Sequence, residues 1–106
     1  MQRQDQTAVT VELNGLTTLR TIATAHEKLL SALTQTGGRV IIDVGENSDV
    51  DLSFVQLLLS AHRTAAQSNT ELTLSSPVSG ALLETLTRGG FLHPPMNTFW
   101  LGKKED

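Results

Sequence analysis

The 106-residue chain contains no cysteine. Disulfide frameworks and thiolate metal sites are therefore excluded, packing alone must supply stability, and a reducing compartment fits. Aromatic residues make up only 4% of the chain. Phe91, Phe99 and Trp100 all lie near the C-terminus, so that end is expected to pack on the domain. Charge of one sign is never concentrated: the formal net charge is −3 and there is no long basic or acidic run. The electrostatics that a nucleic-acid backbone demands are missing, so no nucleic-acid partner is expected. No apolar run approaches the ~20 residues that cross a bilayer, the longest being residues 40–44 and 55–59, and no direct membrane insertion is expected. Residues 1–6 are polar and lack the apolar core of a secretory signal, which makes the cytoplasm the expected location.

Catalytic constellations are missing too. There is no Gly-x-Ser-x-Gly elbow, and the closest thing to a carboxylate pair, Asp43 and Asp51, has structural work at a strand end and a helix start. His26, His62 and His93 are separated by whole elements rather than by the i, i+4 spacing of a zinc helix. No catalytic residue, metal ligand or cofactor is therefore assigned. His62, in line with Val55 and Leu59, reads as a partly buried helix residue.

What is present is a regular alternation of periods. In residues 8–13, Val9, Val11 and Leu13 alternate with Ala8, Thr10 and Glu12, the pattern of a strand with one covered face. In residues 21–36, Ile22, Ala25, Leu29, Ala32 and Leu33 recur at helical steps, and Gly37 and Gly38 stop the helix. Residues 40–44 form a β-branched run expected as a middle strand, buried on both faces or at a helix-covered sheet centre. Helical spacing returns from Leu52 to Gln67, with Asp51 in the N-cap position and Asp49 as the alternative cap. A third strand is expected over residues 71–74, then a helix opened by Pro77 and ended by Gly89 and Gly90. A loop at His93, Pro94 and Pro95 precedes an edge strand over residues 98–101. The length allows one α/β domain, 1–106, with a core of about 8–101 and flexible ends at 1–6 and 102–106.

The run Val40-Ile41-Ile42-Asp43-Val44, a short polar loop, and then Val50-Asp51-Leu52-Ser53-Phe54-Val55-Gln56-Leu57-Leu58-Leu59 resembles the central signature of STAS domains, the family of the anti-sigma factor antagonists. There a strand ending in aspartate leads through a loop into an Asp-Ser-Ser-Gly-Leu helix start. The similarity extends to Glu71-Leu72-Thr73-Leu74, Pro77-Val78, Leu82-Leu83-Glu84-Thr85-Leu86 and Gly90-Phe91, and so covers about residues 8–92. It implies a STAS-type fold: a mixed sheet of about four to five strands covered by helices. It also implies a non-catalytic signalling adaptor whose partner is a regulatory protein, an anti-sigma factor or a histidine-kinase-type protein. STAS-like chemotaxis accessories and STAS subunits of ABC-type lipid transporters belong to the same circle of expectations. A small nucleotide- or ligand-binding sensor is the alternative from another class, although the acidic loop 45–49 lacks the glycines and lysine of a phosphate cradle.

By the resemblance, the partner-binding residues are Asp49, Asp51, Leu52, Ser53, Phe54 and Gln56. Leu52 stands where antagonists carry the serine that a partner kinase phosphorylates, so the usual switch has no hydroxyl at that position. Ser53 is the nearest substitute: it either accepts a phosphate worth about −1.5 to −2 charges or simply hydrogen-bonds in the first helical turn. Phe54 replaces a glycine, and the spacing permits either an outward anchor or an inward ring beside Leu58.

Overall fold

The computed structural model describes residues 8–35 and 38–102. Gly37, the segment 1–6 and most of the tail 102–106 lie outside these residues, so the helix stop at Gly37 and the flexible ends stay as sequence readings. Three parallel strands, β1 (Ala8–Glu12), β2 (Arg39–Asp43) and β3 (Glu71–Leu74), form a sheet in the order β1-β2-β3. They alternate with α1 (Ile22–Gln35, preceded by a 3-10 turn, Leu19–Thr21) and α2 (Leu52–Gln67). The chain continues through α3 (Gly80–Gly89) to a short α4 (Asn97–Leu101).

Parallel register aligns Val9 with Val40 and Leu72, and Val11 with Ile42 and Leu74. These six residues make one apolar face, against which Ala25, Leu29 and Ala32 of α1 and Phe54, Val55, Leu58, Ala61 and Ala65 of α2 bury their helical stripes. The reverse face carries Thr10, Glu12, Arg39, Asp43, Glu71 and Thr73 around a half-buried Ile41, with Arg39 and Glu71 ion-paired at 3.4 Å across the β2–β3 register. β2 is thus the middle strand, with one face under the helices and the other polar.

Four expectations change. The described residues hold three strands, all parallel, in place of a mixed sheet of four to five. Residues 98–101 belong to a helix, closed by the Trp100 N–H to Met96 carbonyl and Gly102 N–H to Thr98 carbonyl bonds. Phe99 and Trp100 are both buried, an adjacent pair that a helix can turn toward one core while a strand splits its neighbours between two faces. Pro77 does not open α3, because the Val78 N–H is held by the Trp100 carbonyl at 3.0 Å and Ser79 is extended. The helix begins only at Gly80. At its other end, Gly90 in the left-handed region (φ 74°) lets the Phe91 N–H reach the Leu86 carbonyl at 2.9 Å, a Schellman-type stop. The fourth change, the aspartate cap of α2, belongs to the candidate site.

Candidate functional site

The two chain segments that leave the C-terminal ends of β1 and β2 stay side by side beyond the sheet. The Leu13 N–H donates to the Asp43 carbonyl at 2.8 Å, as a further ladder rung. The Gly15 N–H then donates to Asn47 Oδ1 at 2.7 Å, while Asn47 Nδ2 donates to the Val44 carbonyl at 2.9 Å. Thr17, buried at 2% exposure, donates its hydroxyl to the Asp49 carbonyl at 2.5 Å and accepts the Asp51 N–H on its own carbonyl at 2.9 Å. Finally the Leu19 N–H donates to Asp51 Oδ2 at 2.6 Å. Side-chain and backbone bonds therefore carry the parallel pairing past the strands to the start of α2.

This lacing needs Gly45. Its φ of +70° is costly for any residue with a Cβ, and a Cβ there would lie 2.8 Å from Asn14 Cγ. Gly45→Ala is expected to cost about 1–3 kcal/mol, the range for a residue forced into a sparsely populated backbone region. Urea unfolding checks it; an unchanged midpoint would mean that the loop relaxes freely.

Asp51 occupies the N-cap backbone position of α2, with φ −94° and ψ 157°, yet its side chain makes no cap hydrogen bond. The carboxylate is drawn instead to the Leu19 amide, because a charge-assisted bond across the two segments competes successfully with the local one. The residues expected at the partner surface then divide. Asp49, Asp51 and Gln56 are exposed, and Leu52 is 50% exposed. Phe54 is 0% exposed and lies in the core cluster with Val55 and Leu58. The inward reading holds, and Phe54 is withdrawn as an outward anchor. The Ser53 hydroxyl has under 1 Å² accessible and no hydrogen-bond partner. A phosphoryl acceptor must present its oxygen in line to the donor, so Ser53 is no acceptor in this conformation.

Leu19 was not among the residues the sequence nominated, yet it is 66% exposed. Among the described residues, Leu19, Leu30 and Leu52 are the exposed large apolar ones; two of these three flank the Asp51 carboxylate, Leu19 through a hydrogen bond and Leu52 as its chain neighbour. The only available signal was a leucine inside the polar stretch Thr17-Thr18-Leu19-Arg20-Thr21.

Other places offer less chemistry. The cavity where β2 and β3 end, lined by residues that include Val44, Asn47, Ser75 and Ser79, has a volume of about 30 Å³, too small for a nucleotide. The larger hollow beside it, about 610 Å³ and lined by Glu46, Asn47, Ser48, Ser79 and Gly80, is a shallow depression open to solvent. Among the described residues no three His, Cys, Asp or Glu side chains come together. His62 is half-buried, with its ring edge-on to Phe99 at 4.9 Å, in keeping with a helix residue packed on α4. No described helix is long and apolar enough to cross a membrane.

The family model described as "Mlab, STAS domain" matches residues 1–97, most of the chain. This chain belongs to the STAS domain family. It has the family's anti-sigma factor antagonist-like fold, with three parallel strands among the described residues, and STAS domains are generally non-catalytic. Neither a curated protein nor a solved structure matches it. Within this STAS domain, the corner at the start of α2 combines exposed apolar area, carboxylates and a rigid hydrogen-bonded base.

Proposed function

We propose that this STAS domain is a non-catalytic adaptor that docks a regulatory protein of the anti-sigma factor or histidine-kinase type through the start of α2, without a phosphoserine switch. The observation that carries it is Leu52: an apolar side chain half in water, at the position where antagonists keep their phosphorylated serine. Leucine there supplies a permanent apolar contact and no acceptor oxygen, so binding is constitutive. Covering the exposed half of one leucine is worth about 1 kcal/mol by area, and desolvating a charge put in its place adds to the loss.

The Leu52→Arg variant, titrated calorimetrically against purified candidate regulators (an anti-sigma factor with a kinase-type ATP-binding fold, a chemotaxis kinase, a transporter ATPase), is expected to bind its partner at least tenfold more weakly, about 1.4 kcal/mol. Its melting temperature is expected to stay within about 2 °C, as for surface substitutions. Equal affinity would remove α2 from the interface. Saturable ATP or GTP binding, with amide shifts over residues 45–53, would favour the ligand-sensor alternative.

A further inference from the structure

Resting on that reading, we infer that the docking surface is composite, with Leu19 as its second anchor, and that it takes a protein partner presenting an apolar ridge flanked by lysine or arginine. Leu19 comes from the connection between β1 and α1, and Leu52 from the start of α2. The Asp51 carboxylate joins them, because it precedes Leu52 in the chain and accepts the Leu19 N–H at 2.6 Å. Thr17 fixes the same two segments twice more, through the Asp49 carbonyl and the Asp51 N–H. Both anchors are thus held before any partner arrives, which removes the ordering cost that a mobile loop imposes on association.

Charge selects the occupant. The loop from Gly45 to Asp51 contributes the exposed Glu46, Asp49 and Asp51, and the facing segment contributes the single cation Arg20. Asp51, bonded to the Leu19 amide and next to Leu52 in the chain, and Asp49, whose carbonyl accepts the Thr17 hydroxyl, put negative charge at the two anchors themselves. A second copy docking corner to corner would bring these carboxylates together, since a two-fold interface pairs a patch with itself. An anionic bilayer would be repelled in the same way. A basic-flanked apolar surface gains on both counts: it covers the leucines and brings opposite charge to their rim.

Two synthetic amphipathic helical peptides test this, one with leucine and lysine faces and its counterpart with leucine and glutamate. Nitrogen-15 amide spectra of the full chain are recorded during titration of each. The leucine/lysine peptide is expected to saturate, with shifts gathered at Leu19, Asp49, Asp51 and Leu52. Leu19→Ser is expected to weaken it at least fivefold, and Asp49→Lys to weaken it while improving the glutamate peptide. If Leu19→Ser binds as wild type while Leu52→Arg does not, the composite surface is wrong and the adaptor reading stands. If neither variant matters, both fall. Equal binding of the two peptides, no binding of either, or co-sedimentation with phosphatidylglycerol vesicles in preference to the lysine peptide would each overturn the inferred partner chemistry.

Discussion

Phe54→Ala is expected to lower the unfolding free energy by about 3–5 kcal/mol, as for other buried phenylalanines truncated to alanine. The ring is fully buried and ranks second only to Trp100 in size among the fully buried side chains. Val55 and Leu58, its neighbours on α2, are also fully buried, so no flexible surface residue stands ready to fill the space. A domain of this kind has only about 5–15 kcal/mol in total, so the loss takes roughly a fifth or more of its stability. At about 4–8 °C per kcal/mol for a domain near this size, the melting temperature should fall by at least 12 °C or so. The same substitution at an outward-facing ring would leave melting nearly unchanged and affect partner capture alone. Thermal and urea unfolding therefore decide the matter: a loss below about 1 kcal/mol, typical of a surface change, would contradict the buried placement.

A chain ended after Asn97 is expected not to fold. The family match stops there, one residue into α4. Yet α4 supplies Trp100, the largest fully buried side chain, and Phe99, which packs edge-on against both Trp100 and His62 with ring centroids 5.0 and 4.9 Å apart. It also supplies the carbonyl that accepts the Val78 N–H, the bond that delays the start of α3. Trp100→Ala alone should cost about 3–5 kcal/mol; removing Phe99 and the backbone acceptor as well brings the total close to the whole stability of an ordinary domain. Circular dichroism of the truncated chain should show no cooperative melt, whereas full-length protein carrying Thr98→Ala, an exposed position on the same helix, should melt as wild type. A cooperative transition in the truncated chain would mean that the matched span is the complete folding unit.

The sequence made the alternating elements legible because their apolar residues repeat at two fixed periods. β3 matches its expected bounds, α2 begins and ends where expected, β1 stops a residue early, α1 starts a residue late, and β2 is shifted by one residue at both ends. α4 was unreadable for a physical reason. A five-residue helix has too few internal bonds to be favoured by its own sequence, Thr-Phe-Trp has strand propensity, and packing of two aromatic rings overrides it. Phe54 was open because spacing gives the face of a helix only relative to its neighbours, and the first turn is where that face is least constrained. The cap at Asp51 was expected from local chemistry, whereas the bond actually formed joins residues 32 apart in sequence. Leu19 was missed on the same account: its importance comes from that remote bond, and no periodicity encodes it.

The rungs beyond β1 and β2 keep nearly one spacing: Gly15 with Asn47, Thr17 with Asp49 and Leu19 with Asp51 all join positions 32 apart. The segment after β2 is one residue longer up to the first rung, and from there to the last the two connections keep step. A residue inserted into one alone would put every later rung out of step, whereas matched insertions in both could preserve the alignment. In relatives that retain this lacing, the lengths of the two loops should change together, and any engineered exchange of one loop should carry its companion with it.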